Sequence, residues 1–135
     1  MEAIPVLIKS VRLQVDEMQR ALAGLEAEKS ELSKALDRID VEVKAEASGP
    51  GTDPRLFAAY AERKSTEKRQ LLGRIASLTQ SLVAARAALA ESFIELKKLE
   101  VLEERLATRE RLEAARKEQS ELDEIALSHS QRTRA

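Results

Sequence analysis

The sequence predicts an all-α protein in which two long helices form an antiparallel coiled-coil hairpin and the second helix overhangs the first. Charged residues make up 35% of the 135 residues and aromatic residues only 2%, which is typical of long helices rather than of a compact globular core. With four glycines and three prolines, the chain has too few turn residues for a turn-rich β-sandwich or barrel. Two further features support this prediction. One is a strong break between two stretches of helix-forming residues, and the other is a seven-residue repeat of apolar residues.

The break is the segment 48–53, which holds two of the four glycines and is followed by Pro54. Asp53 and Pro54 suit the N-cap and the first position of a helix. Gly49 and Gly51 suit the end of the preceding helix, where a positive φ is often required. We therefore expect a single coiled-coil domain over residues 1–135, with helix 1 at about 3–47, a turn at 48–53 and helix 2 at about 54–128.

The seven-residue repeat is clearest before the break. Eleven of twelve residues at the two core positions are apolar, and Lys29 is the exception. Lys29 could fix the pairing of the helices, but we favour a long side chain that packs along the seam and reaches solvent. The twelve residues are Ile4, Ile8, Val11, Val15, Met18, Leu22, Leu25, Lys29, Leu32, Leu36, Ile39 and Val43.

The second arm repeats the pattern between Leu71 and Leu99, weakens toward the turn at Lys68 and Lys64, and slips beyond Leu99. A hairpin closed tightly at the break would place Val43 opposite Phe57 or Ala58 and Met18 opposite Leu82. The first helix would then end opposite Leu96–Lys98. The rest of the second helix keeps a partial apolar stripe with no cover from its own chain, which indicates a surface for a partner.

Catalysis and cofactor binding are not expected. Without cysteine, and with His129 as the only histidine, the chain offers no thiol chemistry and a poor set of metal ligands. Ser128 and Ser130 flank that histidine but lack an orienting acid and an oxyanion site. The glycines of the break lack the lysine and the spacing of a phosphate-binding loop. We predict a protein that is not an enzyme and has no cofactor.

A basic cluster lies on the second arm near the break. It consists of Arg63, Lys64, Lys68 and Arg69 and could contact phosphates or an acidic partner. Glu62 and Glu67 interleave with it, and no aromatic residue lies among these residues for base stacking. With a net charge of −1 for the whole chain, we favour a solvated helix face and expect no nucleic-acid partner.

The segment from Glu118 to Leu127 (EQSELDEIAL) resembles the C-terminal signature of the flagellar export protein FliJ family, and the chain length and unequal helices are also similar. The resemblance implies a non-catalytic stalk of the type III export apparatus, similar to the γ subunit of rotary ATP synthases. It implies three partners, which are the export ATPase hexamer, the cytoplasmic domain of the export gate and export chaperones. We assign partner binding to Arg109, Arg116, Gln119, Leu122, Asp123, Glu124 and Ile125.

Two other functions stay open. Two copies of the chain could cover each other's overhang in a homo-oligomeric scaffold, or the hairpin could serve as a nucleic-acid-binding arm. No apolar run approaches the roughly 20 residues that span a bilayer. We therefore expect a cytoplasmic protein that reaches the inner-membrane export apparatus only through its partners.

Overall fold

The computed structural model describes residues 3–49, 51 and 53–134. Pro50 and Thr52 of the expected turn, and Met1, Glu2 and Ala135 at the ends, lie outside the described residues. Two helices account for nearly all of these residues, α1 (Ala3–Ala47) and α2 (Pro54–Arg134). The two helices pack against each other and the described residues contain no strand, which confirms the all-α helical hairpin. Helix α2 continues to Arg134, past the expected end at about residue 128.

The turn forms through local capping. The Asp53 carboxylate accepts a hydrogen bond from the backbone N–H of Arg55 at 3.0 Å, so it caps α2 directly before Pro54. At the end of α1, the backbone N–H and the hydroxyl of Ser48 both donate to the carbonyl of Lys44. Gly51 has a φ of 78°, a conformation that glycine adopts without steric cost.

The seven-residue repeat of α1 forms the seam between the helices. All twelve core positions are buried or half-buried, and Ile8, Val11, Val15 and Ile39 are the most deeply buried. On α2 the predicted seam from Leu71 to Leu99 is likewise buried or half-buried, with Leu82 only 2% exposed. Burial of aliphatic side chains along this line is the main stabilising contribution to the hairpin.

The structure divides into two compact units. The distal unit is Leu13–Phe93, which holds the turn and most of the seam. Polar pairs flank its seam on both sides, and each joins a residue of α1 to a residue of α2. They are Glu26 with Arg86, Glu28 with Arg74, Asp40 with Lys68 and Glu42 with Lys64, at N–O distances of 2.9–3.2 Å.

The predicted alignment of the helices was wrong at Met18, although Glu28 pairs with Arg74 as that alignment requires. Met18 accepts a hydrogen bond from the hydroxyl of Ser92 at 3.3 Å, roughly three helical turns beyond Leu82. Near the turn, Val43 lines a shallow notch with Ala61 and Lys64 rather than facing Phe57.

The residues near the turn do not by themselves fix the alignment, because Glu46 borders one surface depression with residues of α2 from Leu56 to Arg63. A seven-residue repeat fits nearly as well after a slide of one repeat, so the repeat alone could not choose between the two alignments.

The lysines of the weak part of the seam are not fully solvated, which corrects the interpretation of the basic cluster. Lys64 and Lys68 are half-buried at core positions and point their ammonium groups at carboxylates of α1. Hydrogen bonding to the carboxylate of Glu42 raises the pKa of Lys64 above its ordinary value. Lys64 also lies 5.7 Å from the ring centroid of Tyr60. Lys29 is half-buried, which both interpretations of this residue allow.

The terminal unit comprises the described residues of Met1–Arg12 and Ile94–Ala135. The guanidinium of Arg12 lies 3.3 Å from the carboxylate of Glu100, and Ile4 and Pro5 line a notch with Leu106. The first helix therefore covers α2 as far as Leu106 rather than ending opposite Leu96–Lys98. As the sequence predicted, α2 has an uncovered end, but this end is shorter than the prediction.

Candidate functional site

The candidate site is the uncovered end of α2, which we call the tail and define as residues 107–133. Every residue of the tail is exposed, including Leu112 at 56%, Leu122 at 53% and Ile125 at 65%. Helical geometry is continuous through the tail. Its first turn borders α1, because Ala107 and Glu110 line a notch with Ile4 and Pro5. Exposed leucine and isoleucine side chains on one helix indicate a docking surface, because burying them against a partner removes apolar area from water.

The predicted site residues fall on three faces of the tail. Leu122 and Ile125 are three residues apart and share one face, as the amphipathic interpretation requires. Gln119 donates a hydrogen bond to the carboxylate of Asp123 at 3.0 Å, one turn away. Glu124 lies nearly opposite Leu122 and borders a shallow depression with His129. The structure therefore brings the two apolar residues together, and it places Glu124 on the side of the helix opposite Leu122, in a depression that Ile125 also borders.

The two predicted arginines lie on one face of α2, because Arg109 and Arg116 are seven residues apart. Arg109 also forms an ion pair with Glu113, with the Nε atom 3.4 Å from the carboxylate oxygen. An exposed pair of this kind contributes about 0.3–0.5 kcal/mol to the helix. Arg109 can therefore exchange the carboxylate of Glu113 for that of a partner at little cost in free energy.

A notch of about 170 Å³ marks the place where α1 stops covering α2. Ile4, Pro5, Leu106 and Ala107 form its apolar lining, and the carboxylates of Glu103 and Glu110 lie at its rim. Both glutamates occupy core positions of the repeat and are exposed, which explains why the seam stops here. A charged side chain at a core position disfavours continued helix pairing.

The candidate site consists of exposed helix surfaces and shallow notches. Among the described residues, no group of three or more histidine, aspartate and glutamate side chains could hold a metal ion. Within the same part of the chain, neither helix is long and apolar enough to cross a membrane.

Sequence reasoning missed one set of residues near the tail. Lys97, Lys98 and Arg105 are exposed and surround the apolar side chains of Ile94, Val101 and Leu102. These residues lie on the side of α2 that faces away from the seam. The signal was present in the sequence, because placing residues 94–116 around a helix separates their basic from their acidic residues.

The fold and the site together define a class of protein, an α-helical hairpin with an uncovered helix end suited to docking on other proteins. The model of the flagellar FliJ protein family matches residues 2–135, and the chain belongs to this family. The family consists of non-catalytic components of the flagellar export apparatus, and the chain is accordingly a component of that apparatus. No curated protein and no solved structure matches the chain.

Proposed function

We propose that this chain is a coiled-coil stalk that engages the export ATPase ring and the export gate and escorts export chaperones, without catalytic activity of its own. The observation that supports this most directly is the tail, in which Leu122 and Ile125 are exposed on one helix face. The resemblance of the segment 118–127 to the FliJ signature supports the assignment of partner binding to that same surface. In this proposal the protein joins the inner-membrane export apparatus through its partners.

The two parts of the molecule have different roles in this proposal. The paired helices supply stiffness, because cross-helix ion pairs and a continuous apolar seam hold α1 and α2 together. The tail supplies the end that enters the ATPase ring. Its arginines and glutamates form exposed pairs that bind weakly, so the contact with ring loops can slip as well as hold.

The docking role of Leu122 is tested by co-purification of the export ATPase with the full chain and with Leu122→Asp. We expect the substitution to abolish co-purification, because a carboxylate would have to be buried where an aliphatic side chain docks. Leu127→Asp is the matched control, since Leu127 is also exposed, at 62%, but lies about 140° around the helix from Leu122. Equal retention of the ATPase by both variants would refute the assignment of Leu122.

A truncation after Glu118 tests the part of the tail beyond that residue. The shortened chain should lose the ATPase and keep a helical circular dichroism spectrum and its unfolding midpoint, because residues 119–133 are exposed in the structure. If the truncated chain still captures the ATPase, the docking element does not lie beyond Glu118.

Self-association is the main alternative use of the tail. Analytical ultracentrifugation of the isolated chain separates the two functions, because a stalk is monomeric whereas a scaffold dimerises at micromolar concentrations. We expect a monomer. A dimer that Leu122→Asp dissociates would instead assign the tail to a second copy of the chain.

A further inference from the structure

The basic and acidic residues of α2 are separated around the helix over residues 94–116. We define the outer arc as the residues of this segment that face away from the seam. At 100° per residue, five of the segment's six basic residues lie on this arc and none of its acidic residues does. The nearest carboxylates, those of Glu95, Glu104 and Glu113, lie at the edges of the arc. The five basic residues are Lys97, Lys98, Arg105, Arg109 and Arg116.

Aliphatic residues lie between these cations. Ile94, Val101, Leu102 and Leu112 are on the same arc, and three of them are at least 44% exposed. Lys97, Lys98 and Arg105 ring the patch formed by the first three. Long basic side chains around aliphatic ones are typical of a helix that lies in a membrane interface, where the stems join the apolar layer and the charges meet lipid headgroups.

The neighbouring part of α1 extends this surface within the terminal unit. Arg12 and Glu100 each follow a core position directly and pair on one flank of the helices. Leu7 and Leu102 each precede a core position directly, so they lie on the opposite flank, which adjoins the outer arc. Leu7 is 49% exposed, so the apolar part of the surface continues onto α1.

We propose that the outer arc of residues 94–116, together with Leu7, binds the surface of an anionic phospholipid membrane. Each Lys or Arg near such a surface contributes roughly 1 kcal/mol, or about fivefold in affinity. The aliphatic residues add burial at the headgroup boundary. This direct contact goes beyond association through partner proteins, and the purified chain alone can make it, although Arg109, Leu112 and Arg116 also belong to the tail.

Two other occupants fit the surface less well. Nucleic acid would use the cations, but it offers nothing for the interleaved aliphatic residues, and the arc contains no aromatic residue for base stacking. An acidic helix of a protein partner would use both kinds of side chain, but the seam between two helices is a narrow stripe, whereas these cations spread over about 120° around α2. A lipid surface can contact that whole width.

The test is co-flotation of the purified full chain with vesicles of phosphatidylglycerol and phosphatidylcholine, compared with vesicles of phosphatidylcholine alone. We expect binding only to the anionic vesicles, decreasing as salt is raised because screening shortens the range of the attraction. The double variant K98E/R105E should lower the partition coefficient at least about tenfold. L102S leaves the net charge unchanged and should also lower the partition coefficient.

The matched control is K117E/R132E, which makes the same change in net charge on the seam side of α2. It should bind anionic vesicles within about threefold of the unmodified chain, and circular dichroism should show all variants folded. The proposal is overturned if the unmodified chain does not float with anionic vesicles, which would leave the surface to a protein partner. It is also overturned if both double variants lose binding equally, because net charge alone would then explain the result.

Discussion

The guanidinium of Arg86 lies 3.2 Å from the carboxylate of Glu26, and this contact reports how the two helices are aligned. Arg86 follows the core residue Ala85 and Glu26 follows the core residue Leu25, so each flanks the seam. The repeat would permit Glu26 to face Thr79 instead, one repeat closer to the turn. The alignment decides which residues of α2 stay covered and where the tail begins.

A cysteine pair tests this alignment. The chain has no cysteine, so the variant E26C/R86C carries two thiols only. We expect a short bismaleimide to join them within one chain, as mass spectrometry of a protease digest would show. E26C/T79C has exposed thiols on the same flank and should crosslink much less, because position 79 lies roughly 10 Å further along α2. Preferential crosslinking of the second pair would contradict the alignment.

Leu82 should be the most costly single truncation in the distal unit, because its side chain is 2% exposed. We expect Leu82→Ala to lower the free energy of unfolding by about 3 kcal/mol, from lost burial and from the space left behind. Val83→Ala is the adjacent control, because the side chain of Val83 is 63% exposed. It should change the free energy of unfolding by less than about 0.5 kcal/mol. Urea titrations of both variants would measure the difference, and equal losses would contradict the placement of the seam.

The raised pKa of Lys64 has a consequence for stability at high pH. A lysine whose pKa is higher in the folded state stabilises the fold below its unfolded value of 10.5, and this stabilisation is lost as the pH rises through the folded pKa. Glu42→Gln removes the partner, so it should lower the unfolding temperature at neutral pH. The difference from the unmodified chain should shrink as the pH rises above 10.5 and Lys64 loses its charge in both.

Thermal melts at neutral and high pH would measure that change. Glu17→Gln is the control, since Glu17 is exposed on the same helix and makes no ion pair to α2 among the described residues. If E42Q lowers the unfolding temperature by the same amount at every pH, then Lys64 is not responsible for the loss of stability.

The tail should exchange its backbone amide hydrogens faster than the paired part of α2. A helix without tertiary contacts is marginally stable in water, so its hydrogen bonds open often. We expect amides of residues 112–127 to exchange orders of magnitude faster than those around Leu82, by hydrogen–deuterium exchange and mass spectrometry. Binding of the export ATPase should slow exchange in the tail. Protection of the tail in the isolated monomer would contradict its lack of cover.

Much of this architecture could be predicted from the sequence. The repeat of α1 specified which residues face the seam, and Asp53 with Pro54 specified where α2 begins, because capping and helical periodicity are local properties. The exposed pair Leu122 and Ile125 was also predictable, since three-residue spacing places both on one face whatever the rest of the chain does.

The alignment of the helices was decided only by the tertiary structure. A slide along the repeat preserves the apolar match, so only the tertiary structure shows that Met18 contacts Ser92, roughly three helical turns beyond Leu82. The lysines at positions 64 and 68 illustrate the same limit, because their partners Glu42 and Asp40 depend on that alignment. The sequence by itself determined which faces are apolar. The tertiary structure determined which of those faces remain uncovered, because cover depends on contacts between residues distant in the chain.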